Sequence, residues 1–140
     1  MILLTPDLRA ALYANAAAHR RTIESGGIEP DPLRVVKFFS PVGAATWLAT
    51  ELDADGDTLF GLADLGFSSP ELGCFSLREI ASVRLPFGLS IERDVHFLAV
   101  WPLSVWAETA RRFGSIIAAE RELRRSGKEL PQPPEKQGGG

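Results

Sequence analysis

The sequence predicts an α+β fold: a small, mainly antiparallel sheet made of a meander plus a fourth strand, with helices before, within and after it. Three observations lead there. Residues between Leu33 and Leu65 hold three β-rich runs separated by turn residues. Apolar residues recur at helical spacing near both ends, from Leu8 to Ile23 and from Trp106 to Ile117. Ser76 and Glu79 stand at capping-box spacing, which marks a helix start beyond the strands.

The first helix begins at Thr5-Pro6-Asp7. Thr caps it, Pro fits the first helical position, where a missing N–H is harmless, and Asp suits the positive end of the dipole. Leu8, Leu12, Ala16, His19 and Ile23 form its expected buried stripe, and Ser25-Gly26-Gly27 ends it. Pro30-Asp31-Pro32 then enforces an extended link. Leu33 to Phe39 reads as a strand, and Ser40 to Gly43 as a turn. Thr46 to Leu52 and Thr58 to Leu65 read as an antiparallel pair joined through Asp53-Ala54-Asp55-Gly56-Asp57, with Trp47 in the core. A short helix is expected from Ser76 to Val83, a fourth strand from Arg93 to Val100, and a last helix from Ser104 to a stop at Gly127. The charged stretch from Glu120 to Arg125 is expected to project into solvent. Residues 1–127 thus read as one domain, and residues 128–140, rich in Pro and Gly, as a disordered tail.

Composition narrows the possible roles. A lone cysteine, Cys74, excludes an internal disulfide and suits a reducing compartment. The short apolar start ends at Thr5-Pro6-Asp7, and no run approaches the roughly 18 apolar residues needed to cross a bilayer, so a cytoplasmic protein without membrane contact is expected. The net charge of −3 is unevenly spread. Residues 51–94 carry nine acids against three arginines, a net of −6, whereas the flanking segments are mildly basic. Such a middle repels phosphate backbones, disfavours direct nucleic-acid binding and steers towards basic partners. Nothing in the sequence marks an oligomeric state.

Candidate chemistry is sparse. Asp53, Asp55 and Asp57 alternate as calcium ligands do, but an EF-hand loop counted from Asp53 needs Gly and Glu where Thr58 and Asp64 stand. The simpler reading is a polar hairpin turn with solvated carboxylates. Strand alternation would set Glu92, Asp94 and His96 on one face, a cluster suited to acid–base work or to an intrasheet salt-bridge network. Cys74 lies just before the capping box, where a helix N-terminus could lower its pKa, though a lone cysteine more often acts as a small hydrophobe. The aromatics Phe38, Phe39, Trp47, Phe60, Phe67 and Phe75 lack the basic neighbours of a stacking groove and are read as core.

The succession Lys37-Phe38-Phe39, Thr46-Trp47-Leu48, the acidic turn, Phe60-Gly61-Leu62, Glu71 to Glu79 and Gly88 to Asp94 resembles the bacterial domain of unknown function 2958. Leu48 and Cys74 depart from it, since tyrosine fills both places in the family pattern. The resemblance implies a small bacterial protein, often encoded on plasmids and other mobile elements, with no established activity to carry over.

These readings combine into one expectation. The protein is a non-enzymatic accessory module, without a cofactor, that binds a basic protein partner or a basic nucleic-acid-binding protein through Glu51, Asp53, Asp55, Asp57, Glu71, Glu92 and Asp94. An anti-defence or DNA-mimic role would follow from the mobile-element setting. The rival expectation is a small metal-dependent hydrolase built on the Asp53–Asp57 turn with Glu92, Asp94 and His96.

Overall fold

The computed structural model describes residues 1–31, 36–97 and 100–129. The elements run α1 (Pro6–Ser25), β1 (Val36–Phe39), β2 (Thr46–Leu52), β3 (Thr58–Asp64), β4 (Glu71–Ser76), α2 (Leu77–Ser82), β5 (Glu92–Arg93), α3 (Leu103–Phe113) and α4 (Ile116–Glu129). The five strands form one antiparallel sheet in the order β4-β3-β2-β1-β5, so the fold is α+β as expected. One face packs Val36, Phe38, Trp47, Ala49 and Leu59 against Leu12 of α1, Leu77 and Ile80 around α2, and the N-terminal Leu3 and Leu4. The other packs Leu48 and Leu62 against Leu103, Trp106 and Ala110 of α3 and Ile116, Ala119 and Leu123 of α4. No described helix is long and apolar enough to cross a membrane.

Local signals set the first elements. The Thr5 hydroxyl accepts the Leu8 N–H at 3.3 Å, and Gly26 closes α1 in the left-handed conformation with φ 76°. The stripe is shorter than the spacing predicts: Leu12 and Ala16 are buried, but Ile23 is 60% exposed and lines a surface cavity together with Phe60 and Cys74 of the sheet. Ser76 caps α2 by accepting the Glu79 N–H at 3.1 Å.

The centre of the sheet depends on a bulge. Between Ala49 and Glu51 the β2–β3 register shifts, which leaves Thr50 as an extra residue, and the Thr50 carbonyl accepts the Asn15 side-chain amide from α1 at 2.9 Å. A bulge locally disrupts the ladder, bends its strand and increases the twist. Opposite it stands Gly61, where a Cβ would lie 1.8 Å from the Leu48 carbonyl oxygen. Only glycine fits there.

Several expectations are corrected. Glu71–Ser76 forms a strand the sequence reading missed, because Gly73 and Glu71 are poor strand formers and only pairing with β3 makes the segment extended. The expected strand from Arg93 to Val100 shrinks to Glu92–Arg93, since the Asp94 side chain accepts the His96 N–H at 3.0 Å and turns the chain away. Leu98 and Ala99, and Leu33 to Val35 of the first expected strand, lie outside the described residues. The last helix is two helices, divided at Gly114 with φ 90°. Gly127 does not stop α4, which runs to Glu129, because an interior glycine weakens a helix by only about 1 kcal/mol. Most of the expected disordered tail, from Leu130 onward, lies outside the described residues. Glu120 and Leu123 turn inward rather than projecting into solvent.

Gly61→Ala should destabilise the protein by at least about 2 kcal/mol, since backbone must move to admit the methyl group. Gly73→Ala, whose Cβ would meet nothing within 4 Å, should change stability by under about 0.5 kcal/mol. Chemical denaturation of the two variants checks the contrast, and equal stabilities would refute the bulge packing.

Candidate functional site

The β2–β3 connection is an ordered turn whose exposed carboxylates also bond to backbone amides. Asp55 accepts the Asp57 and Thr58 N–H groups at 2.8 Å each and the Thr58 hydroxyl at 2.7 Å. The Thr58 and Asp57 bonds hold its pKa down at about 2. Asp57 accepts the Arg78 N–H at 2.7 Å and the Ser76 hydroxyl at 2.8 Å, so it caps α2 across the sheet, and those bonds lower its pKa, the Arg78 N–H most. Asp53 accepts the Ala54 N–H and lies 3.6 Å from Arg20. These carboxylates are therefore engaged with backbone amides. Among the described residues no group of three or more His, Cys, Asp or Glu side chains is placed to hold a metal ion.

The remaining expected site residues are dispersed. Glu51 is half-buried and bonds His19 Nδ1 at 3.0 Å. Glu71 is exposed at the start of β4, and Glu92 lies on β5 at the opposite edge of the sheet. Glu92, Asp94 and His96 do not share a strand face, because β5 ends at Arg93. Asp94 instead sits 3.4 Å from Lys37 Nζ, which also donates to Glu120 Oε1 at 2.6 Å. Glu120 Oε2 accepts from Arg124 at 2.7 Å. Lys37, Asp94, Glu120 and Arg124 thus form a balanced network, with the Lys37 and Glu120 side chains each only 13% exposed. Beside it lies a cavity of about 260 Å³ lined in part by Phe97, Trp101 and Trp106. Sequence reading missed this cluster. Its one early signal was a lysine inside a strand, which alternation places beside Leu48 on the second face.

The two edges of the sheet differ. At the β5 edge, the Arg93 guanidinium donates to the Ile2 and Leu3 carbonyls at 2.8 Å each, and the Arg93 N–H meets Met1 Sδ at 3.1 Å. The N-terminal segment therefore covers it. At the other edge, β4 offers six residues with no described neighbour beyond them. The Leu77 N–H donates to the Asp57 carbonyl at 2.9 Å, which fixes the ladder phase. Phe75, Gly73 and Glu71, at successive even steps, must bond β3, so Leu72, Cys74 and Ser76 direct their backbone N–H and C=O groups outward. Cys74 is exposed there, with Phe67 in the preceding loop 80% exposed.

The low pKa values of Asp55 and Asp57 predict an acid-sensitive turn. A carboxylate whose folded pKa is depressed contributes stability that is complete above its unfolded value of 3.8 and is lost as pH falls towards about 2, the folded value for Asp55. The melting temperature should therefore fall between those values, and less steeply in an Asp55→Ala, Asp57→Ala double variant. Parallel pH profiles would show that these bonds do not contribute.

Neither a curated protein nor a solved structure matches the chain. A family described as a protein of unknown function, DUF2958, matches residues 3–117. That span runs from the N-terminal segment over the β5 edge to the first turn of α4 and includes the whole sheet. The chain belongs to the DUF2958 family of proteins of unknown function.

Proposed function

We propose that this protein is a non-enzymatic binding module that pairs an extended, basic segment of a partner protein with the open edge of β4. The observation that carries this reading is the contrast between the sheet edges. Proteins blunt exposed edges with charge, proline, bulges or covering segments, because unpaired backbone groups recruit other strands. The β5 edge has such a cover, whereas β4 presents Leu72, Gly73 and Cys74 with no proline or lysine. Strand addition supplies backbone hydrogen bonds for affinity and alternate side chains for specificity.

Charge fits a basic guest. Glu71 stands at one end of β4, and the Asp53–Asp57 turn lies at the other, joined through the Asp57–Ser76 bond. The field would raise the association rate and weaken with salt. Glu51, Glu92 and Asp94 lie apart from this edge or are paired internally, so the reading rests on strand pairing guided by charge. A cytoplasmic location goes with it, as does the unpaired thiol of Cys74.

Cys74→Pro tests the proposal with little collateral damage. The Cys74 N–H points away from β3, so proline removes an outward donor and leaves the β3–β4 ladder. The partner that co-purifies with the parent protein from its host should bind this variant at least about tenfold more weakly, at nearly unchanged melting temperature. Equal affinity by titration calorimetry would refute strand pairing at β4.

A further inference from the structure

We infer that the cavity between the end of β5 and helices α3 and α4 is a binding site for a small aromatic carboxylate. This site is independent of the β4 edge and lies at the far side of the sheet. Its walls are Phe97, Trp101 and Trp106, with Leu123 adding apolar surface, and the Phe97 and Trp106 ring centroids stand 5.5 Å apart at a tilt of 42°. Its volume, about 260 Å³, is small for a ligand pocket, where about 300–1,000 Å³ is usual. That size suits one ring with a short substituent.

The polar groups choose the substituent. Trp106 is only 2% exposed, yet its indole N–H has no hydrogen-bond partner among the described residues. Buried indole N–H groups normally find an acceptor, and leaving one unmet is costly. His96, the other possible side-chain acceptor in the cavity wall besides Glu120, makes no bond to the Trp106 N–H. Glu120 is the one carboxylate in the lining; it is engaged by Lys37 at 2.6 Å and by Arg124 at 2.7 Å and makes no bond to the Trp106 N–H. Arg124 uses one terminal nitrogen on Glu120, and its side chain, 69% exposed at the mouth, keeps further donors for a guest.

Charge argues against a cationic guest. Aromatic walls beside a glutamate could form a cage for an ammonium group. Here Lys37 already lies 5.9 Å from the Phe97 ring centroid and neutralises Glu120. A second cation would meet Lys37 and Arg124, which already pair with Glu120. A ring carrying a carboxylate stacks on the aromatic walls, accepts from the Trp106 N–H and takes one of the further donors of Arg124.

Titration of the full chain with phenylacetate and benzylamine tests this, read by tryptophan fluorescence and by the Trp106 indole N–H resonance. Phenylacetate should bind saturably at up to millimolar concentration and shift that resonance, with benzylamine at least about tenfold weaker. Trp106→Phe keeps an aromatic, though smaller, side chain, removes the N–H, and should weaken phenylacetate about fivefold to tenfold. Arg124→Met, at an exposed position that leaves the fold intact, should weaken it about tenfold and carries the test if Trp106→Phe fails to fold. Absence of saturable phenylacetate binding, benzylamine binding as tightly, or unchanged affinity in Arg124→Met would each overturn the assignment.

Discussion

The second layer of this protein depends on a buried carboxylate. Asp64, at the end of β3, is fully buried, and no cation pairs with it among the described residues. Its oxygens accept instead from the Gly66 N–H at 2.9 Å and the Ile116 N–H at 2.8 Å. The second bond places a negative charge at the first turn of α4, where the helix dipole and the free amides stabilise it. Burying an unpaired charge is otherwise strongly unfavourable. With α4 fixed there, Ala119 and Leu123 close over Leu48 and Leu62, and Glu120, on the same helix, reaches Lys37. The aromatic cavity is a consequence of that placement.

The sheet itself is asymmetric in how it meets solvent. One outer strand is two residues long and tied to the N-terminal segment through Arg93, while the other is six residues long and bare. The bulge at Thr50 sharpens the asymmetry by requiring glycine at position 61, and Gly61 pairs with Gly73 on the exposed strand. Two glycines facing each other leave little side chain to shield the edge. The acidic turn stabilises this half of the sheet by capping α2, and its charge is a by-product available to a guest.

Local chemistry was readable and long-range pairing was not. Thr5-Pro6-Asp7, the Asp-Gly hairpin and the Ser76–Glu79 spacing act within a few residues, so each is visible in sequence. The Asp57 cap on α2 joins residues 21 apart, and the Lys37–Glu120 bond joins residues 83 apart. No periodicity encodes either. Acidic residues that look like one surface when counted along the chain separate once β5 crosses to pair with β1. Strand β4 was missed for a related reason, since its extended form comes from β3 and not from its own composition. The split at Gly114 was legible in principle, because a glycine flanked by helical stripes can close one helix as well as interrupt it.

Residue-resolved amide hydrogen exchange of the free protein tests the central claim, an unshielded strand beside a bonded one, most directly. The account predicts slow exchange at Gly73, Phe75 and Leu77, whose N–H groups face β3, and fast exchange at Leu72, Cys74 and Ser76. Alternation of that kind along β4 would establish an open edge. Uniform protection of all six amides in dilute protein would mean that the edge is already covered, and would contradict the account.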